Sequence, residues 1–163
     1  MADDKNKKTT PEVENYLNIN AQYIKDLSFE NPKAPMSFTN TEQPKMDVNV
    51  DLNVQKFDND LYEVSMAINV AATVKDETVF IVELNYAGLF TAKFSESSDL
   101  EKVLLVQCPH ILFPYARRII SDTTRDGGYA PLYINPIDFM YLYMENKDKI
   151  KKAQSTETPA NIN

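Results

Sequence analysis

A regular alternation of apolar and polar side chains runs through the middle of this chain and limits what it can fold into. From Met46 to Val54 every second residue is apolar, and the same period continues from Tyr62 to Val70 and from Phe80 to Tyr86. A period of two places the apolar side chains of a strand on one face of a sheet and the polar ones on the other. The pattern therefore predicts three long strands, each with one buried and one solvent-facing side.

Short polar clusters separate these three segments and predict tight turns. Residues 58–60 are Asp-Asn-Asp and residues 75–77 are Lys-Asp-Glu. Asn and Asp favour turns because their side chains bond to the local backbone and tolerate left-handed backbone angles. Strands joined by such turns pair antiparallel. The region from Met46 to Tyr86 is therefore predicted to be an antiparallel meander.

A fourth strand is predicted near the start of the chain, between Asn20 and Asn31. Its alternation is interrupted at Ile24 and Lys25. We expect Tyr23, Leu27 and Phe29 on one face and Asp26, Ser28 and Glu30 on the other. Residues 31–44 contain three prolines, which lack a backbone donor, so this stretch is predicted to be a long crossover loop.

The C-terminal half carries helical signals. Residues 98–101 match a Ser-x-x-Glu capping box, which predicts a short helix that ends near residues 108–109. A second helix is expected from there to the glycine pair at 127–128, and a third from the Asn-Pro pair at 135–136 to about Lys149. Strands followed by helices indicate an α+β domain, a four-stranded antiparallel sheet packed on one face by C-terminal helices.

The sequence lacks signals for catalysis, for metal binding and for a cofactor. Its net charge of -7 and its pI near 4.7 disfavour nucleic acid as a partner. It has three glycines and no Gly-rich phosphate-binding motif, so no nucleotide cofactor is expected. Cys108 is the only cysteine and His110 the only histidine, too few for a zinc site. No disulfide can form within the chain, which fits a reducing compartment.

Neither a secretory signal nor a membrane span is evident. Residues 1–10 are polar, and no run of about 18 apolar residues occurs. We therefore expect a soluble protein that remains in the cytoplasm.

Two groups of side chains remain candidates for a function. The first is apolar and forms either additional core or an exposed groove. Its members are Met36, Phe38, Phe113, Tyr115, Tyr129, Tyr133 and Tyr143. The second consists of the carboxylates Asp47, Asp51 and Glu63, which would carry an unrecognised enzyme site. Asp47 and Asp51 would stand roughly 13 Å apart along one strand, which is wider than the usual carboxylate pairs.

Three motifs resemble those of the SecB preprotein-export chaperones. Residues 108–117, Cys-Pro-His-Ile-Leu-Phe-Pro-Tyr-Ala-Arg, are similar to the family's signature, and residues 26–32, Asp-Leu-Ser-Phe-Glu-Asn-Pro, to its first-strand motif. Residues 131–132, Pro-Leu, followed by residues 135–139, Asn-Pro-Ile-Asp-Phe, resemble the family's loop and its entry into the final helix. The motifs occur in the family's order and span residues 23–144.

The resemblance implies a holdase chaperone without enzymatic activity and without a cofactor. Such a protein binds unfolded secretory preproteins in the cytoplasm, independently of ATP, and delivers them to the SecA translocation ATPase. The resemblance also implies a homotetramer assembled as a dimer of dimers, with no direct membrane insertion. We expect residues 15–149 to form the chaperone domain, between a disordered tail at residues 1–14 and a flexible tail at residues 150–163.

Site residues follow from the same resemblance. It places SecA binding at Asp26, Glu30, Ile81 and Glu83, and the oligomer interface at Val82, Leu84 and Tyr86. As a hypothesis for the client-binding groove, we select Met36, Phe38, Phe113, Tyr115 and Phe139. The alternative function is that of a sheet-based adaptor for one specific folded partner.

Overall fold

The four predicted strands form one antiparallel sheet. The computed structural model describes residues 14–156, with side chains for residues 14–149. Residues 1–13 and 157–163, which belong to the tails predicted at residues 1–14 and 150–163, lie outside this range. The strands are β1 (Tyr16–Glu30), β2 (Lys45–Lys56), β3 (Leu61–Val74) and β4 (Glu77–Lys93), in the sheet order β1-β4-β3-β2. The predicted meander and crossover loop are therefore confirmed, and the loop contains one turn of 3-10 helix at Met36–Thr39.

Both hairpins close at the predicted turn clusters. The central residues of the first turn, Asn59 and Asp60, have φ of 60° and 59°, and those of the second, Lys75 and Asp76, have φ of 50° and 64°. Left-handed angles at both central residues match the right-handed twist of the flanking strands. The turns thus fix the register, in which Ile68 of β3 pairs with Leu84 of β4 on the same face of the sheet.

One face of the sheet carries the core, and we call it the helix face. Its β3 and β4 side chains are almost fully buried. They are Val64, Met66, Ile68 and Val70 on β3 and Phe80, Val82, Leu84 and Tyr86 on β4. The opposite face, which we call the polar face, carries no helix and presents the alternate side chains. The predicted separation into two faces is confirmed on these strands.

β1 departs from regular alternation at two bulges. The register skips Asn20 and Lys25, so that at each point two β1 residues oppose one residue of β4. Tyr23 therefore pairs with Ala87 on the polar face, whereas Leu27 pairs with a core residue of β4. The prediction that Tyr23 shares a face with Leu27 and Phe29 is wrong, because the Lys25 bulge shifts the phase of the strand between them.

The helices after β4 form one continuous stretch rather than two separate helices. α1 (Ser97–Lys102) passes into a π-helical segment (Val103–Gln107) and then into α2 (Cys108–Asp126). The predicted break at residues 108–109 is wrong, because the π-helical segment leads directly into the proline-containing helix and the chain stays helical there. The predicted capping box is also wrong: residue Glu96 precedes α1 and no side chain caps it.

The last helix begins later than predicted. α3 (Phe139–Thr156) starts after Asp138, whose carboxylate accepts a 2.9 Å hydrogen bond from the backbone N–H of Tyr141. Asp138 is therefore the cap, and the Asn-Pro pair at 135–136 lies in the extended segment before it. α3 continues beyond the predicted end near Lys149, since no glycine or proline interrupts the sequence there.

Candidate functional site

The four predicted SecA-binding residues lie together on the polar face. Glu30 of β1 pairs with Ile81 of β4, and Asp26 lies two pairs further along the same face. The Ser28 hydroxyl, between them, donates to the Glu83 carboxylate over 3.5 Å. The three carboxylates are exposed and Ile81 is half-buried. The structure therefore brings the predicted residues into one patch on two adjacent strands.

The acidic character of this face extends to the other edge of the sheet. Asp47 and Asp51 of β2 point to the polar face, because their partners Ala71 and Ala67 on β3 lie there. Both carboxylates are exposed. The strand between them and the β1–β4 patch, β3, carries mainly small side chains on this face, among them Ser65, Ala67 and Ala71. Such a surface attracts a positively charged segment and favours rapid encounter with it.

Glu63 is the one largely buried carboxylate on the polar face. It is 8% exposed, and Lys25 Nζ lies 2.6 Å from its Oε1 atom while the Tyr23 hydroxyl donates to Oε2. These hydrogen bonds, first from Lys25 and then from Tyr23, hold the pKa of Glu63 below its ordinary value. Burial and the carboxylate raise the pKa of Tyr23 to about 12. Glu63 is thus a paired structural carboxylate, and Asp47 and Asp51 form no acid–base pair with it.

A cavity of about 400 Å³, lined by apolar side chains and also by Lys33, Glu42 and Glu77, lies between the crossover loop, the β3–β4 turn and the residues that follow α2, and we call it the loop cavity. Met36 and Phe38 line it and are 68% and 49% exposed. The Phe38 ring packs on Tyr129 at 5.1 Å between centroids, and Tyr129 packs on Phe80 of the core at 4.7 Å. Phe38 therefore belongs to an aromatic stack that is anchored in the core, and Met36 lines the same cavity.

Polar contacts hold this stack in place. The Tyr129 hydroxyl lies 2.8 Å from Asn31 Oδ1, at the start of the crossover loop, and 2.9 Å from Ser37 Oγ, in its 3-10 turn. Gly128 has a φ of 91°, and a Cβ there would lie 2.9 Å from Phe38 Cε1. A glycine is therefore needed both for the backbone angle and for the close approach of the ring.

The other predicted groove residues are not part of the loop cavity. Phe113 and Phe139 are 7% and 1% exposed and pack edge to face at 5.9 Å, so they belong to the core of the chain. Tyr115 is exposed and stacks on Tyr86 at 6.5 Å. The grouping of five residues predicted from the sequence is therefore divided between two surfaces and the core.

A second apolar cleft of about 430 Å³ was missed by sequence reasoning. It lies between Val48 and Val50 of β2 and the extended residues 132–137. The signal was present, since β2 is an edge strand whose apolar row is only partly covered, and Tyr133 in the extended segment is 67% exposed. Sequence alone could not assign residues 132–137 to this edge.

The predicted oligomer-interface residues are covered within the single chain. Val82, Leu84 and Tyr86 are at most 7% exposed, because α2 packs on β3 and β4. Apolar side chains of β1 on the same face remain uncovered instead. They are Ile19, Ile24 and Leu27, at 47%, 47% and 40% exposure.

Cys108 and His110 have packing roles. Cys108 is buried, and burial raises its thiol pKa to about 12, which makes it unreactive. The His110 ring meets Phe139 edge on at 5.1 Å. Within residues 14–149 the structure has no cluster of three Cys, His or carboxylate side chains that could hold a metal ion.

The fold defines the class of protein. It matches a solved SecB-like chaperone of Mycobacterium tuberculosis with a TM-score of 0.62 at 16% sequence identity, over 74% of this chain and 90% of the other. The sheet and its covering helices thus share the fold of that protein. None of the helices in the described part of the chain is long and apolar enough to cross a membrane.

Sequence comparison identifies the family. The family described as "Preprotein translocase subunit SecB" matches residues 10–150. The Protein-export protein SecB of Parvibaculum lavamentivorans is 48% identical over 88% of this chain and 86% of its own length, and that of Paramagnetospirillum magneticum 46% identical over 85% and 90%. The chain belongs to the SecB family. It is a preprotein-export chaperone and not an enzyme, as the resemblance predicted.

Proposed function

We propose that this chain holds unfolded preproteins in the cytoplasm through the loop cavity and passes them to SecA through the polar face. The observation that carries the proposal is the separation of two surfaces with different chemistry. One contains exposed apolar side chains and an aromatic stack, and the other is an acidic sheet surface. A client and a partner could therefore bind at the same time.

Client capture requires an extended apolar contact. Ordering an unfolded segment costs about 1–2 kcal/mol per backbone residue, whereas burial of about 1,000 Å² of apolar surface contributes roughly 25 kcal/mol. Met36 and Phe38 offer one such contact, and the cleft beside Val48 and Val50 offers a second. Contacts of this kind recognise hydrophobicity rather than sequence, which suits a chaperone with many clients.

Docking of SecA would be electrostatic. Asp26, Glu30 and Glu83 give three exposed negative charges around Ile81, and a basic segment of SecA would find both charge complementarity and one apolar contact. The sequence contains no nucleotide-binding motif, so release would follow from handover to SecA.

Assembly into a dimer of dimers would cover the exposed β1 row. Ile19, Ile24 and Leu27 lie on an edge strand with no helix above them, and an uncovered apolar row of this kind favours contact with a second copy. The predicted interface residues would then influence assembly indirectly. α2 packs on Val82, Leu84 and Tyr86, so these residues set its position.

The test is a refolding assay with a slow-folding precursor. We expect a molar excess of the wild-type chain to arrest refolding, and Met36→Ala combined with Phe38→Ala to reduce the arrest severalfold. Phe57→Ala is the matched control, because Phe57 is 41% exposed at the distant β2–β3 turn. Refolding at an undiminished rate with the wild-type chain would refute the holdase function and favour the adaptor.

A further inference from the structure

The phase of β1 depends on a single inserted residue. Ile24 pairs with Tyr86 on the helix face, and Asp26 pairs with Asn85 on the polar face, so Lys25 is the extra residue of a bulge. If the strand kept Lys25 but had no bulge, the residues after Ile24 would alternate in the opposite phase. Asp26 and Glu30 would then point towards the core side. The orientation of the acidic row therefore requires the bulge.

Glu63 holds this bulge from two strands away. Lys25 and Tyr23, at the bulge and just before it, both reach across β4 to the same carboxylate on β3. The β4 residue opposite Tyr23 is Ala87, whose small side chain leaves room for this crossing. Both oxygens of Glu63 are engaged and the group is 8% exposed, so it is available to the bulge rather than to a partner.

We propose that Glu63 is a positioning residue for partner docking, because it fixes the β1 bulge that turns Asp26 and Glu30 outward on the polar face. This inference rests on the proposed docking function of that face. Glu63 would not touch the partner itself. Its loss would leave Lys25 free and the β1 phase less firmly held, and the acidic row would lose its defined arrangement against β4.

Glu63 also neutralises Lys25, so loss of docking could arise from an unmasked positive charge alone. A double variant separates the two causes. Glu63→Gln with Lys25→Met removes one charge of each sign and keeps the net charge of -7. If charge masking were the whole effect, this variant would bind the partner as the wild-type chain does. If Glu63 and Lys25 together hold the bulge, its binding stays weak.

The experiment measures binding of full-length SecA by titration calorimetry. We expect Glu63→Gln to weaken binding about tenfold, the order expected if the displaced acidic row loses one charge-assisted contact with the partner. Glu101→Gln on α1 is the matched control and should bind as the wild-type chain does. Hydrogen exchange over residues 22–30 should be faster in Glu63→Gln, with arrest of client refolding unchanged.

The outcomes separate the two proposals. No binding by the wild-type chain would refute docking, and the role of Glu63 with it. Normal binding by Glu63→Gln, or by the double variant, would overturn the positioning role and leave docking intact. If Glu63→Gln does not fold, Tyr23→Phe replaces it, because this variant removes only one of the two contacts to Glu63. Tyr23→Phe should weaken binding by a smaller factor while the arrest of client refolding persists. Unchanged binding by Tyr23→Phe would again overturn the inference.

Discussion

Gly128 couples the backbone of a turn to the shape of the loop cavity. Its φ of 91° is unfavourable for other residues, and an added Cβ would lie 2.9 Å from the Phe38 ring. We expect Gly128→Ala to lower the free energy of unfolding by roughly 1–2 kcal/mol in urea titrations and to weaken client capture. In a Phe38→Ala background the ring contact is gone, so the added cost should fall. An equal cost in both backgrounds would contradict the ring contact.

Glu63 should give part of the stability a defined pH dependence. Its pKa is lowered in the folded chain, so its contribution is present above the ordinary carboxyl pKa and is lost as the pH falls through the lowered value. At pH 7 we expect Glu63→Gln to cost about 1 kcal/mol, a modest value because Lys25 is 39% exposed. In urea unfolding, the difference between the two proteins should begin to shrink as the pH falls below the ordinary carboxyl pKa of about 4.3 and should close only below the lowered pKa of Glu63. A difference that persisted in acid would exclude this ion pair as its source.

At the scale of elements, α3 depends on a single cap. Asp138 accepts a hydrogen bond from the backbone of Tyr141, and the next residue, Phe139, is 1% exposed in the core. Asp138→Ala should therefore destabilise the protein by about 1 kcal/mol and lower its thermal midpoint by several degrees, measured by circular dichroism. Asp138→Asn keeps the acceptor and should remain close to wild type. If Asn were as harmful as Ala, the carboxylate charge rather than the hydrogen bond would be the cause.

The elements also mark how far sequence reasoning extends. Alternation and turn residues predicted β2, β3 and β4 because both signals are local. The break at Ile24 and Lys25 was visible in the sequence, yet its meaning was not, because the bulge is stabilised by Glu63, 38 residues further along the chain. The π-helical segment, at residues 103–107, likewise reflects packing against the sheet rather than local preference.

At the scale of the whole molecule, tertiary packing determines which candidate residues are accessible. The four residues of the polar patch lie on one face, as the period of a strand predicts, and their binding role stays a prediction. The five residues selected for the groove do not lie together, since Phe113 and Phe139 have the same chemistry as Phe38 but lie in the core, and their client-binding role also stays a prediction. Tyr129, the residue that anchors Phe38, was recognised only as a candidate. Exposure depends on where helices and loops pack, and a periodic pattern does not contain that information.

The proposed assembly can be tested with two single variants, each of which places a charge on one strand of the β1–β4 pair. Leu27 of β1 and Leu84 of β4 are direct neighbours on the helix face, yet Leu27 is 40% exposed and Leu84 only 2%. Leu27→Asp should therefore dissociate the assembly while the protomer stays folded. Leu84→Asp buries an unpaired charge, at a cost of several kcal/mol, and should lose the fold together with assembly.

Light scattering after size exclusion gives the mass of each variant, and circular dichroism shows whether it is folded. Phe57→Asp is the control, since it places the same charge on an equally exposed apolar residue at the β2–β3 turn and should leave the mass unchanged. A folded Leu27→Asp variant with the wild-type mass would mean that the β1 row is not the contact between copies. A folded but dissociated Leu84→Asp variant would instead place that contact at α2 and the β4 residues beneath it.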